Sequence, residues 1–164
     1  YPRGAGTGAS IDQKPRLLEI GKSEVLRHGT DAAIFALGNM CELALPAAEE
    51  LEKQGISTAV INARWIKPLD TTTLEFFAGG CNVICTMEDH VLHNGFGSAV
   101  IEHLSDRGLT TPVVRIGWPD QFIEHGTVPI LREKHGLTVE ATVKKIRDAL
   151  AGVATPTLNT VSAA

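Results

Sequence analysis

Short runs of β-branched and apolar residues alternate along the chain with segments whose apolar residues recur at helical spacing. This alternation constrains the fold more than any single motif, because short loops then join each strand to a covering helix. Such an order is typical of an α/β domain with a mostly parallel twisted sheet and helices on both faces. The main strands are predicted at 32–37, 58–61, 82–87 and 112–116, after shorter β-like pieces in 17–27.

Helices are predicted between and after these strands. The first follows Asn39, which we expect to cap it with Glu42 as capping-box partner, and it ends at Gly55 with an expected kink at Pro46. Asp70 is a plausible cap for the second helix. The remaining helices are predicted at 97–104, 128–135 and 139–150.

The flanks differ in composition from this central part. Residues 1–16 are rich in Gly, Pro and Ser and are interpreted as a linker or arm from a preceding domain. The domain itself is expected over 17–150, and the small, aperiodic residues 151–164 are expected to form a disordered tail. Because the chain starts at Tyr1 and not at methionine, we expect it to be part of a longer polypeptide.

The bulk composition excludes several classes of protein. A formal charge of −4 gives no electrostatic footprint for nucleic acid, and no apolar run has the length of a membrane span. No signal peptide is recognisable at the start. The three cysteines are too few for a disulfide framework, which favours a cytoplasmic location with Cys81 and Cys85 as buried thiols.

Ligands of such sheets gather outside the carboxyl ends of the strands. This rule selects the loops 38–39, 62–70 and 88–97. In the second loop, the Arg64 guanidinium could grip a phosphate or carboxylate through a two-point fork, or could form an ion pair with a carboxylate at the domain edge. Spacing alone leaves both alternatives open. Lys67 is interpreted as a solvated or structural lysine.

The stretch from Glu88 to Ser98 combines acidic, imidazole and glycine residues. It departs from the GxGxxG fingerprint, so Gly95 and Gly97 are interpreted as turn and packing residues. A metal site formed by Glu88, His90 and His93 has poor support from such loose loop spacing, and we assign no metal ligands. Further along, Asp120 and His125 lie in a Trp- and Pro-containing segment typical of a packed corner.

Five ordered motifs resemble the carboxy-terminal part of the 1-deoxy-D-xylulose-5-phosphate synthase family, which belongs to the transketolase-like, thiamine-diphosphate-dependent enzymes. The resemblance covers about residues 1–150, and it implies a fold like that of the transketolase C-terminal domain. The motifs are YPRG (1–4), LEIGKSEVLRHG (18–29), NARWIKPLD (62–70), MEDHVLHNGFGSAV (87–100) and WPDQFIEHGT (118–127).

The resemblance implies a transferase reaction in which pyruvate condenses with glyceraldehyde 3-phosphate and loses carbon dioxide. The product feeds isoprenoid, thiamine and pyridoxal synthesis. Thiamine diphosphate and Mg²⁺ are the implied cofactors, with thiamine as the electron sink. The sequence contains no Gly-Asp-Gly…Asn segment for the metal-diphosphate and no segment with the cofactor-activating glutamate. The cofactors are therefore expected to bind parts of the enzyme outside this chain, which would be inactive alone.

Carried over by motif, Arg3 and Arg64 are implied to hold the phosphate of the aldehyde substrate, with Tyr1 lining the same entrance. We assign no catalytic or cofactor-binding residues. Glu88, Asp120 and His125 match family positions and are interpreted as structural or interface residues. The implied partners are the remaining domains of the same enzyme and a second copy in a homodimer.

Two other hypotheses remain. One is the carboxy-terminal part of a 2-oxoacid dehydrogenase β subunit, which would not need two arginines directed at a sugar phosphate. The other is a non-catalytic α/β binding domain. The chain also departs from the synthase pattern at Asn94, where the family usually has glycine. A close backbone approach of a ligand at this position is therefore in doubt.

Overall fold

The computed structural model describes residues 14–154. A five-stranded sheet forms the centre. The strands are β1 (Glu24–Arg27), β2 (Ala32–Ala36), β3 (Thr58–Asn62), β4 (Val83–Val91) and β5 (Val113–Trp118). Their order in the sheet is β1-β3-β2-β4-β5. Strands β2 to β5 run parallel, whereas β1 pairs antiparallel with β3 at one edge.

Five helices surround the sheet in the described range, which confirms the predicted α/β architecture. A short 3-10 turn, Gly38–Met40, precedes the first helix. The helices are α1 (Cys41–Lys53), α2 (Thr71–Gly80), α3 (Phe96–Asp106), α4 (Val128–His135) and α5 (Val139–Ala154). None of the helices in residues 14–154 is long and apolar enough to cross a membrane.

The buried strand β2 divides the core into two layers. Its residues are fully or almost fully buried, and alternate side chains point to opposite faces because the side-chain period of a strand is two. Ile34 lies in the layer formed with α1 and α5, and Phe35 lies in the layer formed with α2 and α3. Two covered faces explain why the strands read as apolar runs and not as alternating patterns.

The structure corrects the predicted capping of α1. Asn39 lies inside the 3-10 turn, Met40 occupies the N-cap position, and no side chain caps the helix. The Asn39 amide instead donates to Asp89, fifty residues further along the chain. Glu42 remains in the first turn of α1, where an acidic side chain suits the helix dipole.

Two predicted boundaries shift by four residues. Strand β4 continues to Val91, four residues beyond the predicted end, because Val91 pairs with Trp118 of β5 after a register shift. Helix α5 continues to Ala154, four residues into the segment expected to be a disordered tail. Residues 155–164 of that tail, and residues 1–13 of the predicted arm, lie outside the described residues.

Candidate functional site

The turn that follows β3 lies at the carboxyl edge of the sheet and carries Arg64. Ala63 donates its N–H to Ala36 O at 2.9 Å, and Trp65 donates its N–H back to Ala63 O at 2.6 Å. Arg64, between them, adopts a φ of 57° in the left-handed region. This backbone conformation is uncommon for a residue with a side chain, and such outliers concentrate at functional positions.

The Arg64 guanidinium lies against a carboxylate from the edge strand. Glu24, at the start of β1, pairs in register with Asn62 at the end of β3, which brings Glu24 to the carboxyl edge. Its Oε2 accepts a short hydrogen bond from Arg64 Nη2, and its Oε1 accepts one from Arg16 Nη2 at 2.8 Å. We call these three residues the Arg16–Glu24–Arg64 triad.

The sequence left two alternatives open for Arg64. The structure shows one of them, the ion pair with a carboxylate at the domain edge. The hydrogen bond from Arg16 lowers the pKa of Glu24 most, burial opposes this shift, and attraction to Arg64 lowers the pKa further. Glu24 is therefore ionised at neutral pH. The Arg64 side chain keeps 18% of its surface exposed, so the ion pair with Glu24 does not bury it completely.

Cys41 starts α1 beside the triad. Its Sγ lies 3.7 Å from Ala36 O, and the side chain is half-buried. Burial raises the pKa of this thiol, and the nearby Glu24 charge raises it further. The thiol is therefore protonated at neutral pH and is a poor nucleophile. Cys81 and Cys85 are buried, as predicted, and burial raises the pKa of Cys85 to about 12.

The topological switch point of the sheet lies between β2 and β4, whose following helices cover opposite faces. In open α/β sheets this crevice is the usual ligand position. Here it is spanned by the Asn39 amide, which donates to Asp89 Oδ2 at 2.8 Å. Trp118 Nε1 donates to Asp89 Oδ1 at 2.7 Å, and Arg132 Nη2 donates to Oδ2 at 2.8 Å.

Asp89 thus joins the turn after β2, the end of β5 and α4. Burial would raise the pKa of Asp89, but the donors from Asn39, Trp118 and Arg132 together lower it. No residue of α4 is fully buried, and the hydrogen bond from Arg132 to Asp89 helps to hold this helix to the domain. The His135 ring adds an edge contact with Trp118, with centroids 5.8 Å apart.

Glu88 accepts hydrogen bonds from the first amides of α3. Its fully buried carboxylate accepts hydrogen bonds from Phe96 N–H at 2.6 Å and from Gly97 N–H at 2.9 Å. Because the Glu88 carboxyl group already accepts from these first amides of the helix, the position where an external anion would bind is filled. Glu88 therefore has a structural role, and Gly95 and Gly97 permit close packing, as the sequence indicated.

The other candidates lie apart from this arrangement. His93 Nδ1 lies 3.5 Å from Asp120 Oδ2, and both side chains are largely exposed. His125 and Lys67 are exposed as well. Within residues 14–154, no group of three or more His, Cys, Asp or Glu side chains is arranged to hold a metal ion. Tyr1 and Arg3 lie outside the described residues.

Sequence reasoning did not identify Glu24, Arg16 or Asp89 as members of these networks. A signal existed for Glu24, because an acidic residue opens a short strand next to the β3 loop that carries Arg64. The sequence could not reveal the antiparallel pairing that brings Glu24 to Arg64. Asp89 followed an apolar run like many loop residues, and its partners are scattered from Asn39 to Arg132.

The strand order, the two helical layers and the arginine-bearing edge define an α/β domain of the transketolase C-terminal type. A family model of the transketolase C-terminal domain matches residues 21–142, and the chain belongs to this family. A solved split-gene transketolase, named as an inactive beta4 tetramer, aligns with a TM-score of 0.77 at 39% identity, over 82% of this chain and 44% of that one. A transketolase from Pichia stipitis, at 19% identity and a TM-score of 0.56, shares the fold.

Curated relatives of high sequence identity share one enzyme name, which is more specific than the domain family. The chain is 53% identical over 145 residues to the 1-deoxy-D-xylulose-5-phosphate synthase of Methylacidiphilum infernorum, covering 88% of this chain and 23% of the relative. It is 51% identical over 146 residues to the synthase of Acidobacterium capsulatum, covering 89% and 23%. Each match falls in the carboxy-terminal part of the relative, so the chain spans about a quarter of the length of these enzymes.

Proposed function

We propose that this chain is the carboxy-terminal segment of a 1-deoxy-D-xylulose-5-phosphate synthase. The identity of 53% to a synthase of that name supports this assignment. The parent enzyme would condense pyruvate with glyceraldehyde 3-phosphate, with loss of carbon dioxide, for isoprenoid, thiamine and pyridoxal synthesis. It would act in the cytoplasm as a homodimer. The same similarity disfavours a 2-oxoacid dehydrogenase β subunit and a non-catalytic binding domain.

Thiamine diphosphate with Mg²⁺ would supply the electron sink for the decarboxylation. Glu88 and Asp89, which follow the apolar part of β4, do not fit the metal-diphosphate, because both carboxyl groups are committed to internal partners. Glu88 accepts from the α3 amides, and Asp89 accepts from three side chains. The cofactors would therefore bind the remaining domains of the polypeptide, which this chain would contact along with the partner subunit.

The role proposed for this segment is to hold the substrate phosphate through Arg64, together with Arg3 and with Tyr1 at the entrance. The observation that carries this proposal is the position of Arg64 at the carboxyl edge, in a left-handed turn and partly exposed. A guanidinium has five N–H donors in a planar fork, so Arg64 can keep its bond to Glu24 and still meet two phosphate oxygens.

Arg64→Ala in the full-length enzyme tests the role. A charge-assisted hydrogen bond contributes about 1.5–3 kcal/mol, so we expect the KM for glyceraldehyde 3-phosphate to rise about 10- to 100-fold. The KM for pyruvate should change little. Arg64→Lys should remain impaired, because a point charge cannot form a fork. Steady-state kinetics with each substrate varied in turn measures both constants.

The matched control is Arg107→Ala. Arg107 follows the end of α3 and pairs with Glu75, with its side chain more than half exposed. It should leave both KM values unchanged. Equal increases for the two substrates in Arg64→Ala, or an effect of the same size in the control, would contradict a phosphate role for Arg64.

A further inference from the structure

Glu24 differs from the other ion-paired carboxylates of the domain edge because it bridges two guanidinium groups from separate segments. Arg16 precedes β1 by several residues, and Arg64 follows β3. Each carboxylate oxygen meets a different arginine. Arg16 is largely exposed, whereas Arg64 is mostly covered, so the bridge runs from the surface toward the strand ends.

The hydrogen bond from Arg64 to Glu24 uses the terminal nitrogen Nη2. An arginine fixed by a carboxylate at one nitrogen has its guanidinium plane restrained, while its other N–H groups remain free to bind a second anion. The triad contains two positive charges and one negative charge, so it keeps a net charge of +1 toward an incoming phosphate. Glu24 thus restrains Arg64 without cancelling the attraction.

We propose that Glu24 is a positioning residue for Arg64: it holds the guanidinium in the orientation that binds the substrate phosphate, and Arg16 anchors Glu24 in turn. This inference rests on the proposed function of Arg64. Immobilising a long side chain on binding has a recognised entropic cost. An arginine already restrained in the free protein avoids most of that cost, so Glu24 raises the affinity for phosphate.

The opposite role, competition with phosphate, makes a different prediction. A carboxylate that competes with phosphate for the same donors would lower the affinity, and its removal would tighten binding. Glu24 uses one of the three guanidinium nitrogens of Arg64. The N–H groups on the other two nitrogens can meet a phosphate, which favours positioning over competition. The two roles differ in the sign of one measurable effect.

The test uses Glu24→Gln, which keeps the side-chain shape and one acceptor oxygen but removes the charge. In the full-length enzyme we expect the KM for glyceraldehyde 3-phosphate to rise by about two- to tenfold, the range that follows from freeing one rotamer-rich side chain. The inhibition constant of inorganic phosphate, competing with that substrate, should rise by the same factor. The kcat and the KM for pyruvate should stay near their original values.

Two comparisons make the result specific to positioning. Glu24→Asp keeps the charge on a shorter side chain and should recover part of the lost affinity. Glu52→Gln removes another arginine-paired glutamate, whose partner is Arg27 at 3.1 Å. This control should leave phosphate inhibition unchanged. Thermal unfolding of each variant establishes that its fold is intact.

A double-mutant cycle separates this inference from the proposed function. If Glu24 acts through Arg64, Glu24→Gln should have no further effect in the Arg64→Ala background. If Arg64→Ala weakens phosphate binding but Glu24→Gln leaves it unchanged or strengthens it, the positioning role is wrong and the function of Arg64 stands. If Arg64→Ala itself has no effect on phosphate, the proposed function fails and this inference fails with it.

Discussion

Asp70 shows how one side chain can join distant parts of the domain. Its Oδ1 accepts from Thr73 N–H at 3.2 Å and caps α2, as the sequence predicted. Its Oδ2 accepts from Ser23 N–H, Ser23 Oγ and Thr73 Oγ1, each at 2.8 Å. Asp70 therefore ties the chain just before β1, and hence Glu24, to the helix that follows the Arg64 loop.

The pKa of Asp70 gives this contact a pH dependence. Burial would raise the pKa, but the donors from Ser23 and Thr73 together lower it below the ordinary value of 3.8. A carboxyl whose pKa is lowered by folding stabilises the native state above its unfolded pKa and loses that contribution as pH falls through the folded value. Asp70 should therefore stabilise the domain at neutral pH and cease to do so in acid.

Asp70→Asn tests this contribution. At pH 7 the variant should be less stable by about 1–3 kcal/mol, because an amide group then faces donors that need an acceptor. The difference should shrink as pH falls below about 3.8. Denaturant unfolding at several pH values measures it, with exposed Asp106→Asn as control. A stability difference that is zero at pH 7, or constant at all pH values, would contradict the assignment.

At the scale of residues, the sequence predicted correctly a hydrogen bond between residues close together in the chain. The cap at Asp70 was predictable because donor and acceptor lie three residues apart. The cap at Asn39 was wrong, although its spacing was equally good, because Asp89 offers this amide a partner in the assembled sheet. A side chain that finds a strong hydrogen-bond partner elsewhere in the fold does not form the local cap. A single sequence does not show which of the two partners it will bind.

The junction between β4 and α3 shows the same limit for whole elements. Glu88 and the residues after it are polar, so the sequence predicted a loop, yet β4 continues through them to Val91. The strand can include Glu88 because the first amides of α3 satisfy its buried carboxylate. This arrangement requires the helix to start very close to the strand, and Gly95 makes that approach possible.

Gly95→Ala tests the close approach. An added Cβ would overlap Glu88 Oε2 and lie 2.5 Å from Val91 O, both of which are fixed by the strand and the helix start. Gly95 has a φ of −85°, so the expected destabilisation of about 1–3 kcal/mol is steric and not conformational. The measurement is the free energy of unfolding in denaturant.

Gly79→Ala is the matched control, because Gly79 lies in α2 and no heavy atom lies within 4 Å of its added Cβ. Gly79 lies in the last turn of α2, where this change should stabilise the protein by at most about 1 kcal/mol. Opposite signs for the two substitutions would support packing at the β4–α3 junction. A neutral Gly95→Ala variant would show that the junction has room to move.

At the scale of the whole molecule, the alternation of elements predicted the class of fold but not the order of strands. The antiparallel edge strand β1 depends on a return of the chain across β3 that short-range patterns do not encode. This return brings Glu24 to Arg64, so the candidate site depends on the least predictable part of the topology. The phosphate role proposed for Arg64 comes from the resemblance of the motifs, since spacing alone left two alternatives for this side chain.

The domain has a buried layer on each face of its sheet, so we expect its core to form without further chain. It spans about a quarter of the length of the related synthases, however, and its Glu88 and Asp89 carboxyl groups are committed to internal hydrogen bonds. We therefore predict that the isolated chain folds but neither binds thiamine diphosphate with Mg²⁺ nor decarboxylates pyruvate. Calorimetric titration of the cofactors and an assay of released carbon dioxide test these two expectations.

Thermal unfolding of the same sample should give a single cooperative transition, as expected for one domain of this size. The full-length synthase of Methylacidiphilum infernorum, whose carboxy-terminal part is 53% identical, is the positive control for both assays. Cofactor binding or carbon dioxide release by the folded, isolated chain would show that this segment holds part of the thiamine site. A chain that fails to unfold cooperatively would instead show that the two layers need the remaining domains to become a stable core.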